Sequence, residues 1–325
     1  MAACVCVLLL FGACAPAEIK NESFALDTIC FQQVRGGNAS AAAKEVSAML
    51  ERITQEYSMY TGTQLKAIND SAPGTAAVSA EASELIRQAL DIAAETGGSF
   101  DPTIGAVSIL WDMSGSRIPS DEGIQAALPL VDYQLVVADG NTVKLPKPGM
   151  RIDLGGIAKG YAADLAVKIY EKHGVEGALL NLGGNIYAFG ARKDGHSWRI
   201  GLRDPLGGPG EYAAVVDAKD ISVVTSGSYE RFFEYGGKVY HHLFDPRTGY
   251  PAQSGLLAVT VICKSSMRAD ALSTAFFVMG LEKGLAYAQK MPDVEAVFFA
   301  GTELYVTQGL KESIVIANEA YTLKS

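Results

Sequence analysis

Residues 153–164 read DLGGIAKGYAAD. Two adjacent glycines, Gly155 and Gly156, follow an aspartate; Lys159 and Gly160 come next, and Asp164 closes the stretch. The spacing matches neither G-x-x-x-x-G-K-[ST] nor G-x-G-x-x-G. It reads as a strand over 150–154, a turn at the glycine pair, and a helix over 157–173 stopped by Gly174. Successive N–H groups at such a corner, together with the positive end of the helix, form an anion cradle. Lys159 in the first turn adds a full charge, so a phosphate or pyrophosphate suits the loop. The plain alternative is a packing device at a strand–helix corner.

Outward from this corner, strands and helices interleave. Residues 24–34 read as a strand and 41–57 as an amphipathic helix, followed by a loop and short turn through SMYTGTQLKAIND. A helix opens near Ser79 and closes at Gly97–Gly98; YQLVVADGNTVKL carries a D-G-N hairpin signal. GALLNLGGNIYAFGAR reads as strand, glycine turn and strand, and the β pattern continues through 198–233. Ser265 caps an Ala-rich helix expected over 269–290, and VEAVFFAGTELYVTQG closes as a hairpin. No repeat, low-complexity tract or linker divides the chain. The expected class is α+β: one compact domain over 23–325 on a mixed, largely antiparallel sheet with flanking helices.

The 325 residues are 49% hydrophobic, enough to bury a large core, and carry a net charge of −9 with a pI near 5.0. An acidic surface argues against a nucleic-acid binder but leaves room for one small anion in a local basic pocket. The apolar run from Cys4 to Gly12 is too short for a bilayer span and fits an export signal. LLFGAC ends in small residues before Cys14, as bacterial lipoprotein signals do. Residues 1–13 are thus expected to be a signal, Cys14 the lipid anchor, and 14–22 a short tether on an extracytoplasmic membrane face. Cys30 and Cys263 remain, in apolar strand-like runs without a zinc spacing; buried thiols are the plain reading, and one disulfide is the alternative.

Three further stretches carry chemistry. In VTSGSYERFFEYGGKVYHHLFDPRTGYP, Thr225, Ser226 and Ser228 are small donors around Gly227, while Arg231 and Lys238 supply charge. His241 and His242 precede LFDPRTG; a free imidazole titrates near about 6.5, in range for a general base. Neighbours on a strand face opposite ways, so at most one of the two points into a given site. In RADALSTAFFVMG, Asp270 and Thr274 project from one helix face, one turn apart. Carboxylate and hydroxyl are hard oxygen ligands suited to Mg²⁺, although two are too few alone. Tyr60 and Trp111 are loop aromatics on which a flavin or adenine ring would stack; for Trp111, core packing is the stronger reading.

Six stretches occur in the order and at the distances of one known family: FDPTIGAVSILW, DLGGIAKGYAAD, NLGGNIYAFG, TSGSYERFFE, HHLFDPRTGYP and ADALSTAFFVMG. Together they resemble the FAD:protein FMN transferases, the ApbE-type flavin transferases, over nearly all the chain. The resemblance implies that FAD binds, that Mg²⁺ is required, and that FMN passes to a Thr or Ser of a partner protein while AMP leaves. It implies Asp270, Thr274 and the Ala158 carbonyl as metal ligands, and His242 as base. Tyr60 and Asn69 fall where the family contacts the flavin and tunes hydrolysis against transfer. Asp101, Lys159, Asp164, Thr225, Ser226, Gly227 and Arg231 match cofactor-contacting motif positions. The chain departs from the family pattern at three places: Thr63 and Asn69 are differently spaced, Ser228 stands where Asp or Asn is common, and Leu26–Thr28 replace M-G-T. Implied acceptors are membrane electron-transfer subunits with an exported S/T-G-A-[ST]-type loop. The alternatives are an FAD pyrophosphatase giving FMN and AMP, and a surface lipoprotein that only binds FAD.

Overall fold

The computed structural model describes residues 18–113 and 115–324. The expected signal and Cys14 lie outside them. Nine strands form the main sheet: β1 (Glu18–Ala25), β2 (Thr28–Arg35), β3 (Gly177–Leu182), β4 (Asn185–Gly190), β5 (Ile221–Gly227), β6 (Ala258–Cys263), β7 (Glu295–Ala300), β8 (Glu303–Val306) and β9 (Thr322–Lys324). They lie side by side in chain order. Every pairing is antiparallel except β8 with β9. The expected α+β class, with its largely antiparallel sheet, is what the chain adopts.

Helices cover one face: α1 (Ala39–Tyr57), α2 (Thr63–Asp70), α3 (Ala80–Glu95), α4 (Ala158–Lys172), α5 (Ser266–Met279) and α6 (Leu281–Ala288). On the other face, near the middle, packs a small sheet of Trp198–Arg203, Tyr212–Ala218 and Val315–Ile316. Strand β6 is covered on both sides, so all six residues are buried. Ala258 and Ile262 pack toward the small sheet, Val259, Val261 and Cys263 toward α5. That two-sided burial explains why AVTVIC shows no apolar–polar alternation. Helix α5 is likewise buried nearly all round, at the centre of the helical layer.

Several expected elements differ. Residues 24–34 are not one strand: Leu26 and Asp27 take left-handed φ values of 52° and 56° and form the two-residue turn between β1 and β2. Strand β1 begins at Glu18, so the expected tether over 14–22 runs into a paired strand. The segment expected as a loop and short turn contains α2, because Leu65 and Ile68, three apart, share a buried face. Residues 150–154 are not a strand; one parallel bridge, Ile104 with Arg151, is their only sheet-like pairing among the described residues. The Asn69 amide replaces a neighbouring strand there, accepting from Ile152 N at 2.7 Å and donating to Ile152 O at 3.0 Å. The expected helix over 269–290 breaks at Gly280, whose φ of 79° ends α5 and starts α6. The D-G-N hairpin and the 295–306 hairpin form as expected.

Candidate active site

Gly160 fixes the centre of the site. A methyl on it would lie 2.2 Å from the Ser266 carbonyl oxygen, so only glycine allows the starts of α4 and α5 to cross this closely. Helix α4 has no side-chain cap of its own. Across the crossing, Asp270 Oδ2 accepts from Gly160 N at 2.9 Å and satisfies one of the unpaired donors of that helix start. In return, Asp164 of α4 caps α5, accepting from Ser266 N at 2.7 Å, Met267 N at 3.1 Å and Ser265 Oγ at 2.9 Å. Burial pushes the acidity of both carboxyls toward the protonated form, and these donors pull them back.

The expected phosphate cradle is therefore largely taken. Gly155 N donates to Asp153 Oδ1 at 2.8 Å, Ala158 N to Leu154 O at 2.8 Å, and Gly160 N to Asp270. Backbone amides thus offer an incoming anion less than the glycine pattern promised. The Lys159 side chain remains, facing a cleft of about 360 Å³, within the range of small-molecule sites.

That cleft gathers distant parts of the chain. Ala158 and Lys159 come from α4, Asp270 and Thr274 from α5, and Thr225, Ser226, Glu230 and Arg231 from the end of β5 and the loop beyond. His242 follows the two-stranded hairpin Phe232–Tyr235 and Lys238–His241. Tyr60, Trp111, Asp153 and Asp101 complete the walls, and the Leu26–Asp27 turn reaches the rim. Gly156 packs close: a methyl there would lie 3.3 Å from the Phe100 ring and 3.5 Å from Thr274 Oγ1.

The two histidines divide as strand alternation requires. His241 is buried edge-on to Phe277, with ring centroids 5.4 Å apart, and its Nδ1 accepts from Leu243 N. His242 lines the cleft, and its Nδ1 lies 3.2 Å from the Arg231 carbonyl. A carbonyl only accepts, so Nδ1 carries the proton in the neutral ring and the Nε2 lone pair is left for chemistry. Desolvation first, then the charges of Lys159 and Arg231, pushes the imidazolium down to about 3. The ring is therefore neutral at pH 7.

Not every expected contact residue reaches the cleft. Asn69, Asp164 and Gly227 are absent from its lining; the first two serve the scaffold as described. Asp101 lines the cleft, yet its oxygens accept from Thr103 N, Thr103 Oγ1 and Tyr133 N, which braces a loop. Thr225 Oγ1 pairs with Thr260 Oγ1 at 2.8 Å, and Ser226 Oγ with Ser273 Oγ at 2.8 Å. Trp111 packs among Tyr240, Phe244 and Tyr250 and donates to Gly249 O, as its core reading held. Tyr60 is exposed at the mouth. Cys30 and Cys263 are buried free thiols.

Glu230 was missed. It is open to water yet walled by protein, and desolvation raises its carboxyl to about 7 against the pull of Lys159. A single acid in SYERFF gave no periodicity or spacing to mark it.

No group of three or more His, Cys, Asp or Glu that would by itself hold a metal exists among the described residues. Asp270, Thr274 and Ala158 do line the cleft, and a carboxylate, a hydroxyl and a backbone carbonyl are all hard oxygen donors. That donor set fits Mg²⁺, which takes few protein ligands and completes its shell with water or phosphate oxygens.

The ApbE family model matches residues 26–298. The FAD:protein FMN transferase of Treponema pallidum (strain Nichols) is 34% identical over 98% of this chain and 96% of its own length. That of Vibrio cholerae serotype O1 is 30% identical over 87% and 88%. Among solved structures, the ApbE protein of Thermotoga maritima superposes with a TM-score of 0.85 at 34% identity, covering 91% of this chain and 99% of that one. The apo flavinyl transferase ApbE of Pseudomonas stutzeri gives 0.81 at 30% identity, covering 92% and 97%.

Proposed function

The chain belongs to the ApbE family, and from that premise we propose that it is an FAD:protein FMN transferase that moves FMN from FAD to a protein hydroxyl. The acceptor is a threonine or serine of an exported protein, and AMP leaves. One observation carries this reading: Asp270, Thr274, Ala158, Lys159 and His242, scattered over more than a hundred positions, line one cleft.

Mg²⁺ held by Asp270, Thr274 and the Ala158 carbonyl would supply charge neutralisation at a pyrophosphate. Lys159 adds a second positive charge and orients the phosphates. His242 receives the acceptor's hydroxyl proton at Nε2, since Nδ1 is tied to the Arg231 carbonyl. The hydroxyl oxygen bonds to the FMN-side phosphorus; the bond from that phosphorus to the bridging oxygen breaks, and AMP departs with that oxygen. In the free cleft Lys159 and Arg231 oppose a charged imidazole. A pyrophosphate has the opposite effect, so substrate binding strengthens the base as it is needed.

Incubation with FAD, Mg²⁺ and a protein bearing an S/T-G-A-[ST] loop tests the proposal. The acceptor should gain the mass of one FMN, on the hydroxyl residue. Rapid release of free FMN and AMP without acceptor would favour the hydrolytic alternative, and FAD bound without turnover would favour a carrier.

The same reading makes the chain an exported lipoprotein anchored through Cys14, supported by the apolar run from Cys4 to Gly12. Cys14→Ser should then move the protein from the membrane to the soluble fraction; membrane retention would refute the anchor.

A further inference from the structure

The hairpin of Phe232–Tyr235 and Lys238–His241 is a sheet of two strands, and among the described residues no third strand pairs with either edge. Gly236 and Gly237, with φ of 57° and 73°, make its two-residue turn. The pair flanking such a turn, Tyr235 with Lys238, is hydrogen-bonded, and so is every second pair beyond it. Phe233 with Tyr240 is the next, and Arg231 with His242 the last, where His242 N donates to Arg231 O at 3.1 Å. Phe232 and Glu234 on one strand, and Val239 and His241 on the other, therefore turn their N–H and C=O groups away from the hairpin.

The two edges are not equal. Phe232 and Glu234 are both exposed, whereas the second edge runs into buried His241. The stacked rings of Phe233 and Tyr240 seat the hairpin on the Trp111 cluster, so the open edge has a packed support. Proteins commonly blunt a free edge with lysine, proline or a bulge, and FFEY has none of these. It exposes Phe232 and Tyr235 instead, at 46% and 64%.

This edge starts beside the reacting groups. Arg231, the residue before it, and His242, the partner of Arg231 at the base of the hairpin, both line the cleft. The second substrate of the proposed reaction is a hydroxyl on a polypeptide, which has to reach His242 Nε2 past this wall. A chain segment entering a cleft gives up water at its backbone, and each N–H and C=O then needs a partner. A free strand edge supplies such partners at alternate residues, whatever the side chains.

We propose that the Phe232–Tyr235 edge binds the acceptor segment as a third, extended strand, with its hydroxyl residue continuing past Arg231 into the cleft at His242. The inference rests on the transferase reading above and names how the protein substrate of that reaction is held. Phe232 and Tyr235 stand on opposite faces of the ribbon and offer apolar contact to the added strand on each.

The test is transfer from FAD, with Mg²⁺, to a protein bearing an S/T-G-A-[ST] loop and to a synthetic peptide of that loop. Glu234→Pro removes an outward N–H and no hairpin bond. It should lower kcat/KM for the acceptor about 10-fold or more, through KM, with FAD affinity in equilibrium dialysis unchanged. Val239→Pro puts the same ring on the other edge and should leave kcat/KM at the wild-type value. Single N-methyl groups along the peptide should cut transfer by the wild type at every second position on one side of the hydroxyl residue, the alternation of a paired strand. Equal losses in the two proline variants, or wild-type values in both, overturn the inference and leave the transferase reading intact. An N-methyl scan without alternation overturns it as well, and decides the matter should either proline variant fail to fold. Modification of the protein but of no peptide also overturns the inference alone. A wild type that modifies neither overturns the transferase reading, and the inference with it.

Discussion

The two walls of the cleft are built by different physics. The α4–α5 wall is a close helix crossing, with Asp164 bonded to Ser266 and Asp270 to Gly160 across it, and Asp270 and Ser266 are buried. The opposite wall, bearing Arg231 and His242, hangs on a hairpin that forms its own two-stranded sheet. Phe232, Tyr235 and Val239 of that hairpin are exposed, and its inner side rests on the small cluster around Trp111. A rigid buried corner suits the placing of charge against a pyrophosphate. A lightly packed hairpin suits a base that must meet a second, large substrate. The two faces of β1–β2 show the same contrast: Cys30 and Val34 are sealed under the helices, while Phe24 and Ile29 on the opposite face are 73% and 67% exposed where the small sheet does not reach.

The contrast can be broken from either side. The largest effect is expected from Asp270→Ala, which should lower Mg²⁺-dependent transfer about 10³-fold or more. Normal turnover in that variant would remove the buried corner from the chemistry. His242→Ala on the opposite wall should lower transfer about 10²- to 10⁴-fold while leaving FAD affinity near wild type. Equilibrium dialysis against FAD, with single-turnover kinetics, separates the two effects; loss of binding with intact chemistry would contradict the base role.

Gly160→Ala addresses the rigidity of the corner. Its methyl meets the Ser266 carbonyl at 2.2 Å, so the helices must move apart, at a cost on the order of 1–3 kcal/mol or more. A denaturant midpoint equal to wild type would mean that the crossing is looser than it looks.

Glu230→Gln gives the smallest effect and sharpens the electrostatics. The Glu230 carboxyl titrates at about 7 when folded, above its ordinary value of 4.5, so the folded state binds its proton more tightly than the unfolded chain. Its contribution is fully present below pH 4.5 and is lost as pH rises through 7. The variant should therefore match wild type in melting temperature near pH 4 and exceed it at pH 8. An equal difference at both pH values would show that the carboxyl is not perturbed.

Much of the site was legible because its chemistry is local in sequence. Asp270 and Thr274 had to share a helix face, and strand alternation allowed only one of His241 and His242 into the cleft. Gly160 of DLGGIAKG did mark a close approach, of helix to helix. Its amide goes to a carboxylate from a residue 110 positions away, which no local pattern reveals. Asn69, Asp164 and Asp101 match motif positions and brace the scaffold, Asp101 while also lining the cleft; a polar residue in a motif looks alike whichever it does.

The sequence by itself determined the element types, the antiparallel hairpins and the identity of the metal-suited oxygens, because these depend on periodicity, turn residues and side-chain chemistry. Only the tertiary structure decided which histidine faces the cleft, where α5 stops, and that Glu230 stands in the cleft with Lys159 and His242. Those outcomes depend on burial and on contacts between distant segments. Such contacts leave no trace in spacing along the chain.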